Sequence, residues 1–211
     1  MKRATLISSA SWLGTVLLLA GACQFAFGSP VTVRDFSFEE STITSAGGTG
    51  GVSTNWSSVS GGGNYVQNIS ATLFNSPSLP APADGTNYLV EQMNGHVAYC
   101  SQDVGLLQPN TTYTLTIAVG QDLTGSSTGQ GFIALLNGPG MFSPILSATA
   151  VDASKVAPGT FADSTVSFST PYNVSGDLSV LMEGTNLNAI PFDNVRLDAT
   201  PLPLPVSRRH W

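Results

Sequence analysis

The residues best suited to chemistry are two acids near opposite ends of the chain. Glu39 lies in Val33-Arg34-Asp35-Phe36-Ser37-Phe38-Glu39-Glu40, and Asp193 in Phe192-Asp193-Asn194-Val195-Arg196-Leu197. Each phrase alternates apolar and polar residues, as a half-buried strand does, and sets a carboxylate beside an aromatic ring. If the first and last strands of a sandwich pair, the two carboxylates meet, and hard oxygen ligands of this kind suit calcium. Either acid taken alone reads as ordinary solvation of an edge strand.

Hydrolytic chemistry finds little support. The two histidines are His96 and His210, and the second falls in the C-terminal tail, so a Ser-His-Asp arrangement could draw only on His96. There is no Gly-x-Ser-x-Gly elbow and no His or Cys cluster with zinc spacing. Cys100 is four residues from His96, the same face of a strand but about 13 Å away, too far for the imidazole to activate it. It reads as a small buried apolar residue. A glycosidase needs two facing carboxylates, and sequence does not pair any two of the thirteen acids.

The elements that must position these groups are strands. Runs of four to eight β-prone residues alternate with Gly, Pro, Asn and Ser clusters, which predicts an all-β fold. The clearest run is 111–119, where Tyr113, Leu115, Ile117 and Val119 share one face, the expected core face. Further strands are expected at 87–92, 97–104, 131–136, 145–150, 164–169, 178–183 and 193–197. Residues 41–64 form a Gly-, Ser- and Thr-rich segment carrying Trp56, and 76–84 a Pro-rich one. Both read as long loops. A Trp on a loop is one way to build the wall of an apolar or sugar-stacking site.

Residues 1–28 read as a secretory leader, with Lys2 and Arg3 ahead of an apolar run and Ala26-Phe27-Gly28 before Ser29. A lipoprotein reading at Cys23 is disfavoured by Ala20 at the lipobox position. No segment reaches the length of a membrane span, so an exported protein, periplasmic or secreted, is expected. Residues 29–200 fit one sandwich domain, and the Pro-rich tail 201–211 cannot continue a sheet. The formal charge of −6 becomes about −8 without Lys2 and Arg3, which excludes a nucleic-acid partner.

With Phe-Glu early, Tyr-Thr-Leu at 113–115 and Asp-Asn-Val at 193–195, the chain resembles the calcium-binding jelly-roll modules used by carbohydrate-binding domains. A narrower resemblance is to the Stig cyclases, calcium-dependent enzymes of hapalindole-type alkaloid biosynthesis. It rests on the segments 35–39, 107–115, 159–166 and 192–195. The layout also looks like exported proteins with a Pro-Glu-Pro sorting signal, but no apolar span separates Pro205 from Arg208-Arg209.

The Stig resemblance implies a jelly-roll β-sandwich of two antiparallel sheets, a bound calcium ion, and an apolar pocket for a geranylated isocyanovinyl indolenine. The reaction would be a Cope rearrangement, cyclisation onto an alkene and closure onto the indole, with no redox cofactor. Such a site needs one acid. Asp193 is the candidate, because burial beside Phe192 would raise its pKa and keep it protonated. A calcium ligand must instead be ionised, so acid and metal roles compete for Asp193, with Glu39 as the second metal ligand. Tyr88 and Tyr99 are candidate hydrogen-bonding partners, and Trp56 and Phe132 candidate pocket walls. The competing expectation is a non-catalytic, calcium-stabilised module stacking sugars on Trp56 and Tyr65. A homodimer is compatible with either.

Overall fold

The computed structural model describes residues 28–40, 49–59, 65–70, 80–92, 98–123, 125, 128–140, 142–186 and 188–203. In chain order the strands are β1 (Ser29–Val31), β2 (Thr49–Gly50), β3 (Ser57–Val59), β4 (Tyr65–Ser70), β5 (Asn87–Gln92), β6 (Ala98–Leu106), β7 (Thr111–Gly120), β8 (Gln130–Asn137), β9 (Ile145–Asp152), β10 (Phe161–Ser169), β11 (Asp177–Gly184) and β12 (Ile190–Pro201). They form two antiparallel sheets. One runs β10-β7-β12-β5-β4-β2 with β1 also on β12, and the other β3-β6-β11-β8-β9. This is the expected all-β sandwich.

The core lies between the sheets. Tyr113, Leu115, Ile117 and Val119 all bury there, opposite Cys100, Ile133, Leu135, Val180 and Met182. Period-two alternation puts one face of each strand inward, so Thr112, Thr114 and Thr116 point outward and meet Ser169, Ser167 and Thr165 of β10 in a hydroxyl ladder. Cys100 is buried, as expected of a small apolar residue, and is a free thiol among the described residues.

The opening segment departs from expectation. The first strand is Ser29–Val31, paired with Leu197–Ala199 of β12, while residues 34–37 form turns. Asp35 and Phe38 take left-handed backbone at φ 48° and 60°, conformations that a strand does not contain. The Asp35 side chain holds this corner by accepting from the Glu40 N–H and the Ser53 hydroxyl. Phe38 is thereby driven fully inward. The burial gained by that ring offsets the backbone strain.

One inward residue breaks the apolar pattern. Glu91 is fully buried, and among the described residues the Gly184 backbone N–H is the group that acts on its carboxyl, too poorly aligned to satisfy either oxygen. Desolvation pushes its pKa well above 4.5. Because the folded state binds this proton more tightly, the stability it confers is complete below pH 4.5 and is lost as pH rises through the folded value. The slope in that window is about 1.4 kcal/mol per pH unit. Glu91→Gln carries no charge, so its denaturant-measured stability should gain on wild type as the pH rises and show no such slope. Parallel stability curves for the two proteins would contradict this reading of Glu91.

Candidate functional site

Asp193 stands where β12 bulges. Its register against β7 skips between Asp193 and Arg196, and Asn194 takes φ 48°. Such a bulge re-aims the neighbouring side chain. Phe192 and Val195 on either side belong to the core, which leaves the Asp193 carboxyl on the outer face of the larger sheet. It is covered there, with no exposed surface. Oδ2 accepts the Ala83 and Asp84 N–H groups at 2.7 and 2.9 Å, and Oδ1 accepts the Asn194 N–H at 2.7 Å. Burial dominates, lifting the pKa to about 7, while these three amides pull the other way.

Tyr88 is adjacent. Leu89 pairs with Phe192 and faces the core, so Tyr88 turns outward on the same face as Asp193. Its hydroxyl is buried and has no hydrogen-bond partner among the described residues. Burial, then Asp122 and Asp193, push its pKa up, so it stays a neutral donor. A buried O–H with nothing to bond is uncommon and marks a place where a polar group is expected. Phe161, at the start of β10, meets the Tyr88 ring at 5.6 Å and 67°. A weak carboxylic acid, an uncommitted phenol and an aromatic wall therefore share one patch.

The other predicted residues divide. Tyr99 pairs with Glu183, and Glu183 with Phe132, so the three stand in one row. Their strand neighbours Cys100, Met182 and Ile133 are core residues, which puts the row on the outer face of the smaller sheet, away from Asp193. Trp56 is 4% exposed, stacked on Phe38 at 5.4 Å, with its Nε1–H donating to the Asp35 carbonyl. It is packed between the sheets and offers no ring face to a ligand. Tyr65 falls in β4, whose side chains lie outside the described residues, as do His96 and His210.

Glu39 and Asp193 do come to one place, the loop 83–87, from two directions. Glu39 is exposed. Its Oε1 accepts the Thr86 and Asn87 N–H groups at 2.7 and 2.6 Å, and Oε2 accepts the Thr86 hydroxyl at 2.9 Å. The same hydroxyl lies 3.4 Å from Asn87 Oδ1, so three side-chain oxygens converge there. Gly85 supplies the close approach: it sits at φ 65°, and a side chain on it would run into the Glu39 carboxylate. Among the described residues no group of three or more His, Cys, Asp or Glu side chains is arranged to hold a metal. Any ion at Glu39 would therefore rely on amide, hydroxyl and carbonyl oxygens. That donor chemistry fits calcium. Amide N–H groups already bond the carboxylates of both Glu39 and Asp193, so either one would exchange such a bond for the ion.

Solved structures place the fold first among enzyme-borne and free carbohydrate-binding sandwiches and cyclases. A family 61 carbohydrate-binding module in complex with β-1,4-galactotriose is 11% identical over 80% of this chain and 97% of its own, with a TM-score of 0.51. The Stig cyclase Fisc from Fischerella sp. TAU, in complex with (3Z)-3-(1-methyl-2-pyrrolidinylidene)-3H-indole, is 20% identical over 84% of this chain and all of its own, with a TM-score of 0.64. No curated protein sequence matches the chain. The family model HpiC1-like, described as HpiC1 cyclase, matches residues 29–198. The chain belongs to this cyclase family.

Proposed function

We propose that this cyclase is calcium-dependent and closes rings on a geranylated isocyanovinyl indolenine, with Asp193 as the acid. The observation that carries the reading is the covered Asp193 carboxyl, with its pKa raised to about 7, beside the unpartnered Tyr88 hydroxyl. An acid of that strength is half protonated at neutral pH, which is where general-acid transfer works best. The amides of Ala83, Asp84 and Asn194 that bond the carboxyl would stabilise the carboxylate left after the proton leaves. Tyr88 would donate its O–H to a polar atom of the substrate. The indole compound bound by Fisc supports an indole-bearing substrate here.

Calcium is proposed at the Glu39 corner, held by Glu39 and Asn87. Its task there would be to fix loop 83–87, which in turn holds Asp193. A site filled to 100 times its Kd adds about 2.7 kcal/mol of stability, roughly 5 to 11 °C for a chain of this size. Chelation should lower the melting temperature by that much, and Glu39→Gln should abolish the calcium response. A melting temperature indifferent to both calcium and chelator would remove the metal from the account.

The sugar-stacking alternative loses one of its two rings, since Trp56 is core, while the Tyr65 side chain lies outside the described residues. Export with cleavage after residue 28 stays part of the proposal, checked by N-terminal sequencing of the secreted protein. Among the described residues no helix is long and apolar enough to cross a membrane. The direct test of function incubates purified protein with the indolenine, with calcium and then with chelator. Tetracyclic products by mass spectrometry are expected with calcium; only the spontaneous product in both samples would reject the cyclase reaction.

A further inference from the structure

We propose that Phe161 is the aromatic residue that faces the reacting substrate, and that Gly120 is the positioning residue that sets its ring. The inference rests on the cyclase reading of the Asp193 face. Phe161 pairs with Gly120 across β10 and β7, and both stand on the outer face with Tyr88 and Asp193.

A glycine at the end of a central strand weakens it and calls for a reason. Gly120 does not need its freedom for backbone conformation, because it is not among the residues at positive φ. Space is the reason. A Cβ there would lie 2.7 Å from Phe161 Cε1, 2.8 Å from its Cζ and 2.9 Å from Pro191 Cβ, closer than packed carbons approach. Without that Cβ, the Phe161 ring lies down across β7 until it meets Tyr88 at 5.6 Å. Tyr88 is fully covered, whereas Phe161 is only half-buried. The accessible ring of the pair is therefore that of Phe161.

When an acid protonates a polyene or indolenine, positive charge develops on substrate carbon, and the next bond forms wherever that charge is held. An aromatic face attracts such a charge. Phe161, fixed beside the acid and the phenol, decides which carbon that is. It is thus a determinant of the product formed more than of how fast the substrate is protonated. Alanine at position 120 would push against the far end of the Phe161 ring, which can rotate away, and against Pro191 Cβ, which must shift by a few tenths of an ångström, so the expected result is a displaced ring at some cost in stability.

The test supplies the geranylated indolenine to wild type, Phe161→Leu and Gly120→Ala, and reads the ratio of cyclised products alongside their total. Both variants should shift that ratio by about two- to fivefold, the effect of a cation–π contact of exposed-site strength. A ratio is a useful readout because partial unfolding lowers all products alike. Phe161→Leu carries the test if Gly120→Ala fails to accumulate. Unchanged ratios in a series whose wild type is active would overturn the role of Phe161 and leave the cyclase reading standing. A wild type yielding only the spontaneous product would bring down the cyclase reading, and this inference with it.

Discussion

Asp193→Asn should slow product formation by about 10²- to 10⁴-fold, the usual worth of a general acid, while the melting temperature stays within a few degrees of wild type. The asparagine keeps the shape of the side chain and an oxygen for the Ala83 and Asp84 amides, which wild type satisfies through Oδ2, and gives up the Asn194 N–H bond to Oδ1, a loss of about 1 kcal/mol. What it removes is the transferable proton. The same variant separates the two roles that sequence left competing for this residue. If Asp193 bound calcium instead, its loss would depress the melting temperature and erase the response to chelator. Steady-state rates and thermal melts on one preparation decide between them. A variant as fast as wild type would remove Asp193 from the chemistry altogether.

Trp56→Ala should cost about 3 to 5 kcal/mol, the range for emptying a large aromatic from a packed interior. That is roughly 6 to 20 °C in melting temperature for a chain of this size. Three contributions add: the cavity, the lost stacking on Phe38, and a buried Asp35 carbonyl deprived of the indole N–H. The damage would also reach the site indirectly, because Asp35 anchors the turn that presents Glu39. Trp56→Phe keeps ring and volume and should lose much less. If Trp56→Ala melted like wild type yet bound ligand poorly, Trp56 would be a wall of the site, as the glycine-rich sequence around it suggested.

The strands were legible because their signal is local. Tyr113, Leu115, Ile117 and Val119 alternate without interruption, and β5 spans the expected 87–92. The termini also lie side by side, β1 on β12. The first strand was misplaced because Phe36 and Phe38 imitate alternation, while the turn is set by side-chain bonds from Asp35 to Glu40 and Ser53, which no period reveals. The site was legible only in part. Tyr88 and Tyr99 are both outward on their strands, and alternation says nothing about which sheet each strand joins. Topology puts β5 beside β12 and β6 beside β11, bringing Tyr88 to Asp193 and taking Tyr99 to the other side. Phe161 lay in a segment similar to the cyclases, 159–166, but its place beside Tyr88 depends on β10 pairing with β7 and on the missing side chain at Gly120. Trp56 was hidden for the opposite reason. Glycines around it suggest exposure, yet its burial follows from long-range packing on Phe38.

The acid at the centre of this account is tested most directly by the pH dependence of cyclised-product formation by the calcium-loaded wild-type protein. With its pKa raised to about 7, Asp193 acting as the proton donor should give a rate that is level below that pH and falls about tenfold per unit above it. A rate that stays flat through pH 7, or climbs as Asp193 ionises, would contradict it.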